Sequence, residues 1–259
     1  MIFRVDSKRP INESEDIAKI KREVTSRSRS FLFISLALVV ASLIDSELPV
    51  LVPENGFIGI NIPLTSSRSG SCSTRTTHPN FINLFNKLLL NIGISNEIIN
   101  IYKGMSKGQI LEEIKDNELL KNLAKKTISC SHPCQVRYLS ESIPQNCGSC
   151  YPCLVRRAAM LSANIEDCDY KFDLNKELIN TEDRGSDFRA LLLSLKKYLI
   201  NKEDKNYLRN SLLKTGKLTL KELDNYEQIY SKTMEELYSM LLNNIESSDE
   251  IADYLGVED

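Results

Sequence analysis

The stretch from Cys130 to Arg157, C-S-H-P-C-Q-V-R-Y-L-S-E-S-I-P-Q-N-C-G-S-C-Y-P-C-L-V-R-R, constrains this chain more than any other. Five of the seven cysteines lie in it, and Cys147, Cys150 and Cys153 are spaced C-x-x-C-x-x-C. A C-x-x-C turn brings two thiolates close enough to share one metal ion, and Gly148 lets the backbone bend around it. Cys130, returning from the other side of the loop, completes a closed four-thiolate site of the structural zinc type. Zinc with four thiolates carries two negative charges. Lys121, Lys125, Lys126, Arg137, Arg156 and Arg157, set against the single acid Glu141, offset that charge and lower the thiol pKa values.

Other readings of the same cysteines stay open. Disulfides need an oxidising compartment, whereas the chain opens without a signal-peptide pattern and its cysteine count is odd. C-G-S-C or C-Y-P-C would suit a redox dithiol, although overlapping pairs are unusual for that purpose. An iron–sulfur cluster uses the same spacing and is the main rival to Zn2+. Cys134 and His132 are spare ligand candidates, with His132 in an S-H-P turn that suits the surface.

The remaining composition is that of a soluble globular protein, with 42% hydrophobic and 26% charged residues in 259, enough for one large or two small domains. A net charge of −2 leaves no basic footprint for direct nucleic-acid binding. Phe31 to Ile44 is the most apolar run, and it falls short of the roughly 20 residues that span a bilayer. A cytoplasmic protein without a membrane partner is expected.

Along the chain, Met1 to Val5 reads as a short strand, and a charged connector reaches Arg22. The segment from Thr25 to Ile44 reads as a helix covered on both sides, because it is apolar on nearly every face after Arg29. Pro49 to Val52 and Phe57 to Ile62 read as short apolar strands, which beside a buried helix imply a doubly covered parallel sheet. The polar stretch Thr65 to Asn80 carries Arg68, Arg75 and His78 directly after a strand end, where α/β folds place ligands. Pro79 opens a helix with Phe81, Leu84, Phe85, Leu88, Leu89 and Ile92 on one side, closed by Gly93. Residues 105 to 126 read as one helix. Ser106 and Gln109 form its capping box, Met105 and Ile110 its staple, and Ile110, Leu111, Ile114, Leu119 and Leu123 its buried stripe.

Pro152 begins a short helix through Met160. Beyond Asp167 the periodicity is purely helical over Ser186–Ile200, Lys202–Lys214 and Thr219–Asn243, with Thr219 and Glu222 as a second capping box. Residues 241 to 259 hold six acids and no base and read as an exposed tail. The division implied is an incomplete α/β domain over 1–167, containing the zinc segment 130–157, and an all-helical extension with an acidic tail over 168–259.

With its surroundings, the cysteine segment resembles the C-terminal half of the QueC family, the 7-cyano-7-deazaguanine synthases. That family carries a serine-cysteine, then C-G-x-C-x-x-C and an arginine-bearing helix. Here these are Ser129-Cys130, Cys147 to Cys153 and Arg156-Arg157. Its R-N-x-x-F-L-S helix start is similar to Arg29-Ser-Phe-Leu-Phe-Ile-Ser35, with Ser30 in place of Asn. Its P-x-F-I-x-x-F-N-x-L-L helix is similar to Pro79 through Leu89, and its T-K-x-E start to Ser106 through Gln109. The similarity covers about residues 25 to 160 in one order. P-E-N-G at Pro53 to Gly56 and S-T-R-T-T-H-P at Ser73 to Pro79 resemble the phage-defence branch, the QueC-like proteins of Qat systems.

The departure is the family's S-G-G-x-D-S phosphate loop after a first strand, which this sequence lacks. The resemblance therefore implies part of a parallel-sheet fold of the PP-loop (adenine nucleotide alpha hydrolase-like) kind, either a truncated frame or a half-protein. It implies the C-terminal portion of an ATP-dependent ligase that adenylates a carboxylate and passes it to an amine, on a protein or deazaguanine-like substrate. Arg29, Arg75, His78 and Lys107 would neutralise nucleotide or substrate charge, and Glu54 and Asn55 would line the strand-end crevice. ATP and Mg2+ would depend on the missing N-terminal half as partner. The alternative is a non-catalytic, zinc-stabilised interaction subunit that meets other defence-system subunits through its helical tail. With the phosphate loop absent, that half should also leave apolar surface bare.

Overall fold

In the computed structural model, the residues described are 29–64, 75–131 and 145–244, with 251 and 255. They are mostly helical. In order come α1 (Arg29–Ile44), β1 (Val50–Leu51), α2 (Gly56–Ile60), α3 (Pro79–Asn91), β2 (Ile98–Ile99), α4 (Lys107–Ile114), α5 (Glu118–Leu123), α6 (Tyr151–Ser162), α7 (Lys176–Asn180), α8 (Ser186–Asn201), α9 (Lys205–Leu213) and α10 (Leu220–Asn244). The expected strand at Met1 to Val5, the connector to Arg22, and Arg68, His132, Cys134, Arg137 and Glu141 lie outside the described residues.

β1 pairs in parallel with β2, Val50 opposite Ile98 and Leu51 opposite Ile99. The expectation of a strand over Phe57 to Ile62 is corrected: Gly56–Ile60 is a single turn of helix. Asn55 supplies its N-cap, the side-chain oxygen accepting from the Ile58 amide, and Asn61 closes it at φ 45°. Phe57 and Ile60 stand three apart, so one helical turn points both into the main core. A run of five or six apolar residues fits either period, and the Asn cap decides for the helix. The strand that pairs with β1 is Ile98–Ile99, a segment too short for alternation to mark it.

α3 begins at Pro79 as expected, with Gly93 at φ 82° just beyond its end. Its buried stripe is Ile82, Phe85 and Leu89, whereas Leu84, Leu88 and Ile92 are exposed. The helix expected over 105–126 is divided. Asn117 accepts from the Leu119 and Leu120 amides and starts α5 anew. Leu119 and Leu123, beyond the break, are exposed, as is Ile114 at the end of α4, and Leu111 and Ala124 are the buried contacts on α6.

α1, α3 and the sheet share one apolar cluster around Ile34, Leu38, Phe85 and Ile98. Contrary to the expectation of a helix covered on both sides, only Ile34, Leu38 and Ala41 of α1 are buried. The largest core lies elsewhere and draws on both sides of residue 167. Phe57, Leu154 and Val155 meet Phe188, Leu191, Leu195, Met234, Leu237 and Leu241 there. α8, α9 and α10 match the expected helices, and the Thr219 and Glu222 capping bonds are made in both directions. The acidic segment is not wholly an exposed tail, because Ile251 and Leu255 are buried in that core.

Candidate metal centre

Cys130, Cys147, Cys150 and Cys153 bring their sulfurs together so that all four lie within 4.8 Å of one another. The sulfurs of Cys147 and Cys153 are 3.9 Å apart, and those of Cys150 and Cys130 3.8 Å. A disulfide needs about 2.05 Å. A tetrahedral ion with bonds of about 2.3 Å to sulfur needs edges of about 3.8 Å. The donor set and spacing therefore fit one four-coordinate metal ion, with no open position for a substrate.

Local backbone chemistry sets this geometry. Gly148, at φ 86°, turns the chain between the first two ligands, and a Cβ there would stand 2.9 Å from the Phe172 carbonyl oxygen. Any L side chain is strained in that region. The Cys150 amide donates to the Cys147 sulfur at 3.3 Å, and Cys150 is the first residue before α6, so Cys153 projects from its opening turn. The Phe172 and Lys171 amides donate to the carbonyls of Cys147 and Asn146, laying residues 171–172 along the knuckle.

Cys130 arrives on a separate limb that two residues fix. The Asn146 side-chain oxygen accepts from the amides of Ser129 and Cys130, at 2.9 and 3.2 Å, while its nitrogen donates to the Thr127 carbonyl and to the Cys168 sulfur. Arg156, only 2% exposed, donates from Nε and Nη2 to Asp167 Oδ1 at 2.9 and 2.7 Å. It also donates to the Thr127 carbonyl and hydroxyl and to the Ala124 carbonyl. Its role is thus corrected from a general offset of thiolate charge to a paired, fully engaged fork joining α6 to the Cys130 limb. Arg157 stacks over the Tyr170 ring at 3.9 Å and donates to the Phe172 carbonyl.

Crowding distributes the thiol protons unevenly. The contact with Cys130 pulls Cys147 well below the usual thiol range and Cys150 down to about 6. Cys130 is pushed up by Cys147, and Cys153 by Cys130. Two sites thus favour the thiolate before any ion arrives, and a divalent cation displaces the remaining protons.

The other expected site residues fall into two groups. Glu54, Asn55 and Lys107 meet where α2 and α4 begin: Glu54 Oε1 accepts from the Asn55 amide, and the charges of Glu54 and Lys107 act on each other. Burial lowers the Lys107 pKa, helped by the charge of Arg156, while Glu54, Asp167 and Cys153 act against it. The charges of Arg156, Asp167, Cys153 and Glu54 thus all reach Lys107. Burial raises the Glu54 pKa, opposed by Lys107.

Arg75 and His78 form the second group. His78 is the N-cap of α3: its Nδ1 accepts from the Asn80 amide, so Nε2 carries the proton toward the Thr215 hydroxyl at 3.1 Å. Arg29 stands exposed at the head of α1 and is hydrogen-bonded to neither group. Sequence reasoning missed Asn146, Thr127 and Asp167. Of these only Asn146 carried a local signal, as the residue directly before the C-G-x-C turn.

Comparison of the chain with protein-family models, with curated proteins and with solved structures finds no match. Its geometry alone describes it. Among the described residues, no helix is long and apolar enough to cross a membrane.

Proposed function

We infer that this chain is the zinc-organised, substrate-side portion of a QueC-like ATP-dependent ligase of the Qat phage-defence kind, working in the cytoplasm beside a separate half that holds ATP and Mg2+. The observation that carries the reading is the four-thiol cluster, with Glu54 and Lys107 acting on each other's charge where α2 and α4 begin. In this reading the parallel pair β1–β2 is a remnant of a PP-loop sheet. Zn2+ is structural: four protein ligands leave no site for water or substrate, and the ion ties the Cys130 limb to α6. Lys107 and Glu54 present one cation and one anion at the crevice, suited to a carboxylate and an amine. The tail helices and the defence partners lie outside the chemistry.

The second reading, a non-catalytic zinc-stabilised subunit, is favoured by one particular. His78 is committed to the α3 cap and held neutral, so it offers no charge to a phosphate.

The test is calorimetric titration of the purified chain with Mg·ATP, alone and with a co-expressed polypeptide carrying an S-G-G-x-D-S loop, with zinc assayed in parallel. One zinc per chain, no micromolar ATP affinity alone, and ATP binding that Lys107→Met weakens in the pair are expected. Point charges without oriented backbone amides hold a triphosphate weakly. Tight ATP binding by the isolated chain, or iron and sulfide in place of zinc, refutes the ligase-half reading. A pair in which Lys107→Met changes nothing favours the non-catalytic subunit.

A further inference from the structure

Gly59 in α2 leaves open a spot that polar atoms border. A Cβ on it would have three nearest neighbours: the Thr77 hydroxyl at 3.3 Å, the Thr77 carbonyl oxygen at 3.5 Å and the Asn100 side-chain nitrogen at 3.9 Å. The three residues come from α2, from the turn before α3 and from the end of β2. Asn100 directly follows β2, which runs parallel to β1, so it stands just past the carboxyl end of a parallel strand. Open α/β sheets take their ligands at that end.

Asn100 is 4% exposed, and the two ends of its amide are used differently. The oxygen accepts from the Tyr102 amide at 3.1 Å, which settles the way the group faces. The nitrogen is buried and has no hydrogen-bond partner among the described residues. A buried donor left unmade is costly, and folded interiors keep few of them. The bond to Tyr102 needs only the oxygen, so the fold leaves the nitrogen unused. Thr77 is half-buried, and its hydroxyl makes no hydrogen bond among the described residues, so none holds it over the amide.

We propose that Asn100, Thr77 and Gly59 form a recognition site for a cis-amide edge, a carbonyl oxygen directly beside an N–H, as in a lactam ring or a primary carboxamide. The Asn100 nitrogen donates to the ligand's oxygen, the Thr77 carbonyl accepts from its N–H, and Gly59 gives the edge room. An ordinary peptide bond does not match, because in its trans form the carbonyl and the N–H point opposite ways. A carboxylate or phosphate does not match either, since it sets a second oxygen against the Thr77 carbonyl oxygen. The site needs neither ATP nor a second polypeptide, so it stands or falls separately from the ligase reading.

Two-dimensional amide NMR of the full, zinc-loaded chain tests it. The probes are α-pyridone for the lactam and benzamide for the carboxamide, with N-methyl-α-pyridone, which lacks the N–H, as control. At millimolar concentration one or both probes should move the Asn100 side-chain resonances, assigned by their contact with the Tyr102 amide proton, and the one that binds better identifies ring or carboxamide. The methylated control binds at least about 10-fold more weakly than α-pyridone. Asn100→Asp keeps the acceptor for Tyr102 but meets the ligand's oxygen with another, so it weakens binding at least about 10-fold with zinc content unchanged. Gly59→Ala fills the spot with a methyl that meets nothing nearer than 3.3 Å, and it weakens binding likewise. Where Asn100→Asp fails to fold, Gly59→Ala decides alone. No binding of either probe, a control that binds as well as both probes, or wild-type affinity in a folded variant overturns the proposal.

Discussion

Replacing Arg156 with Met tests whether the metal centre is held from outside its ligands. Met keeps much of the volume of the arginine stem but removes all five donors. The loss leaves Asp167, whose side chain is 15% exposed, as a carboxylate without its guanidinium, and frees the carbonyls of Ala124 and Thr127. Breaking a buried pair from one side costs about 3 to 5 kcal/mol, because the remaining charge stays desolvated. For a chain of this size that lowers the unfolding midpoint by roughly 10 °C. The Cys130 limb loses its anchor to α6, so zinc affinity falls by about 10- to 100-fold. Thermal unfolding and competition with a chromophoric chelator measure the two effects. Pairing the change with Asp167→Leu recovers part of the stability, since no charge is then left alone. A single Arg156→Met variant that melts within about 1 kcal/mol of wild type and keeps its zinc affinity refutes the positioning role.

Two further outcomes follow from the same geometry. Burial, together with the charge of Arg75, lowers the His78 pKa from the usual 6.5 to about 4, opposed by Glu222. The unfolded chain thus binds the extra proton first as pH falls. The stabilisation is complete above about 6.5 and is lost from there down toward 4. Stability curves measured across that window should flatten in His78→Asn, which keeps an N-cap acceptor without a titrating ring, and an unchanged slope refutes the assignment. Gly148→Ala meets both a φ of 86° and the Phe172 carbonyl oxygen, so it should cost at least about 1 to 3 kcal/mol and reduce zinc retention in dialysis. Wild-type retention would mean that the turn relaxes without disturbing the ligands.

What was legible in the sequence was local. The three cysteines at C-x-x-C-x-x-C spacing and Cys130 converge as expected, because a turn of that spacing forces the first three together and one return of the chain suffices for the fourth. The capping boxes at Ser106 and Thr219 form for the same reason: both partners lie within four residues. What was not legible depends on distant neighbours. Arg156 looks like one more surface cation until Asp167 and the carbonyls near residue 127 surround it. Phe57 to Ile62 reads as a strand, yet the approach of the Lys103 carbonyl to Gly56 and the cap at Asn55 fix a helical turn. The division at Asn117 and the burial of Ile251 and Leu255 within an acidic stretch likewise follow from packing on α6 and the main core.

The sharing of α6 between the thiol cluster and the main core has a consequence for synthesis on the ribosome. Cys153 is the last ligand, but the core on the other side of α6 is completed by Leu241, Ile251 and Leu255. About 100 residues separate these events, or roughly 5 to 20 s of translation at usual speeds. During that interval the ligands are all available to a metal ion while α6 still lacks its helical cover. Loading the ion at that stage gives the nascent chain a fixed first turn of α6, on which the later helices then assemble.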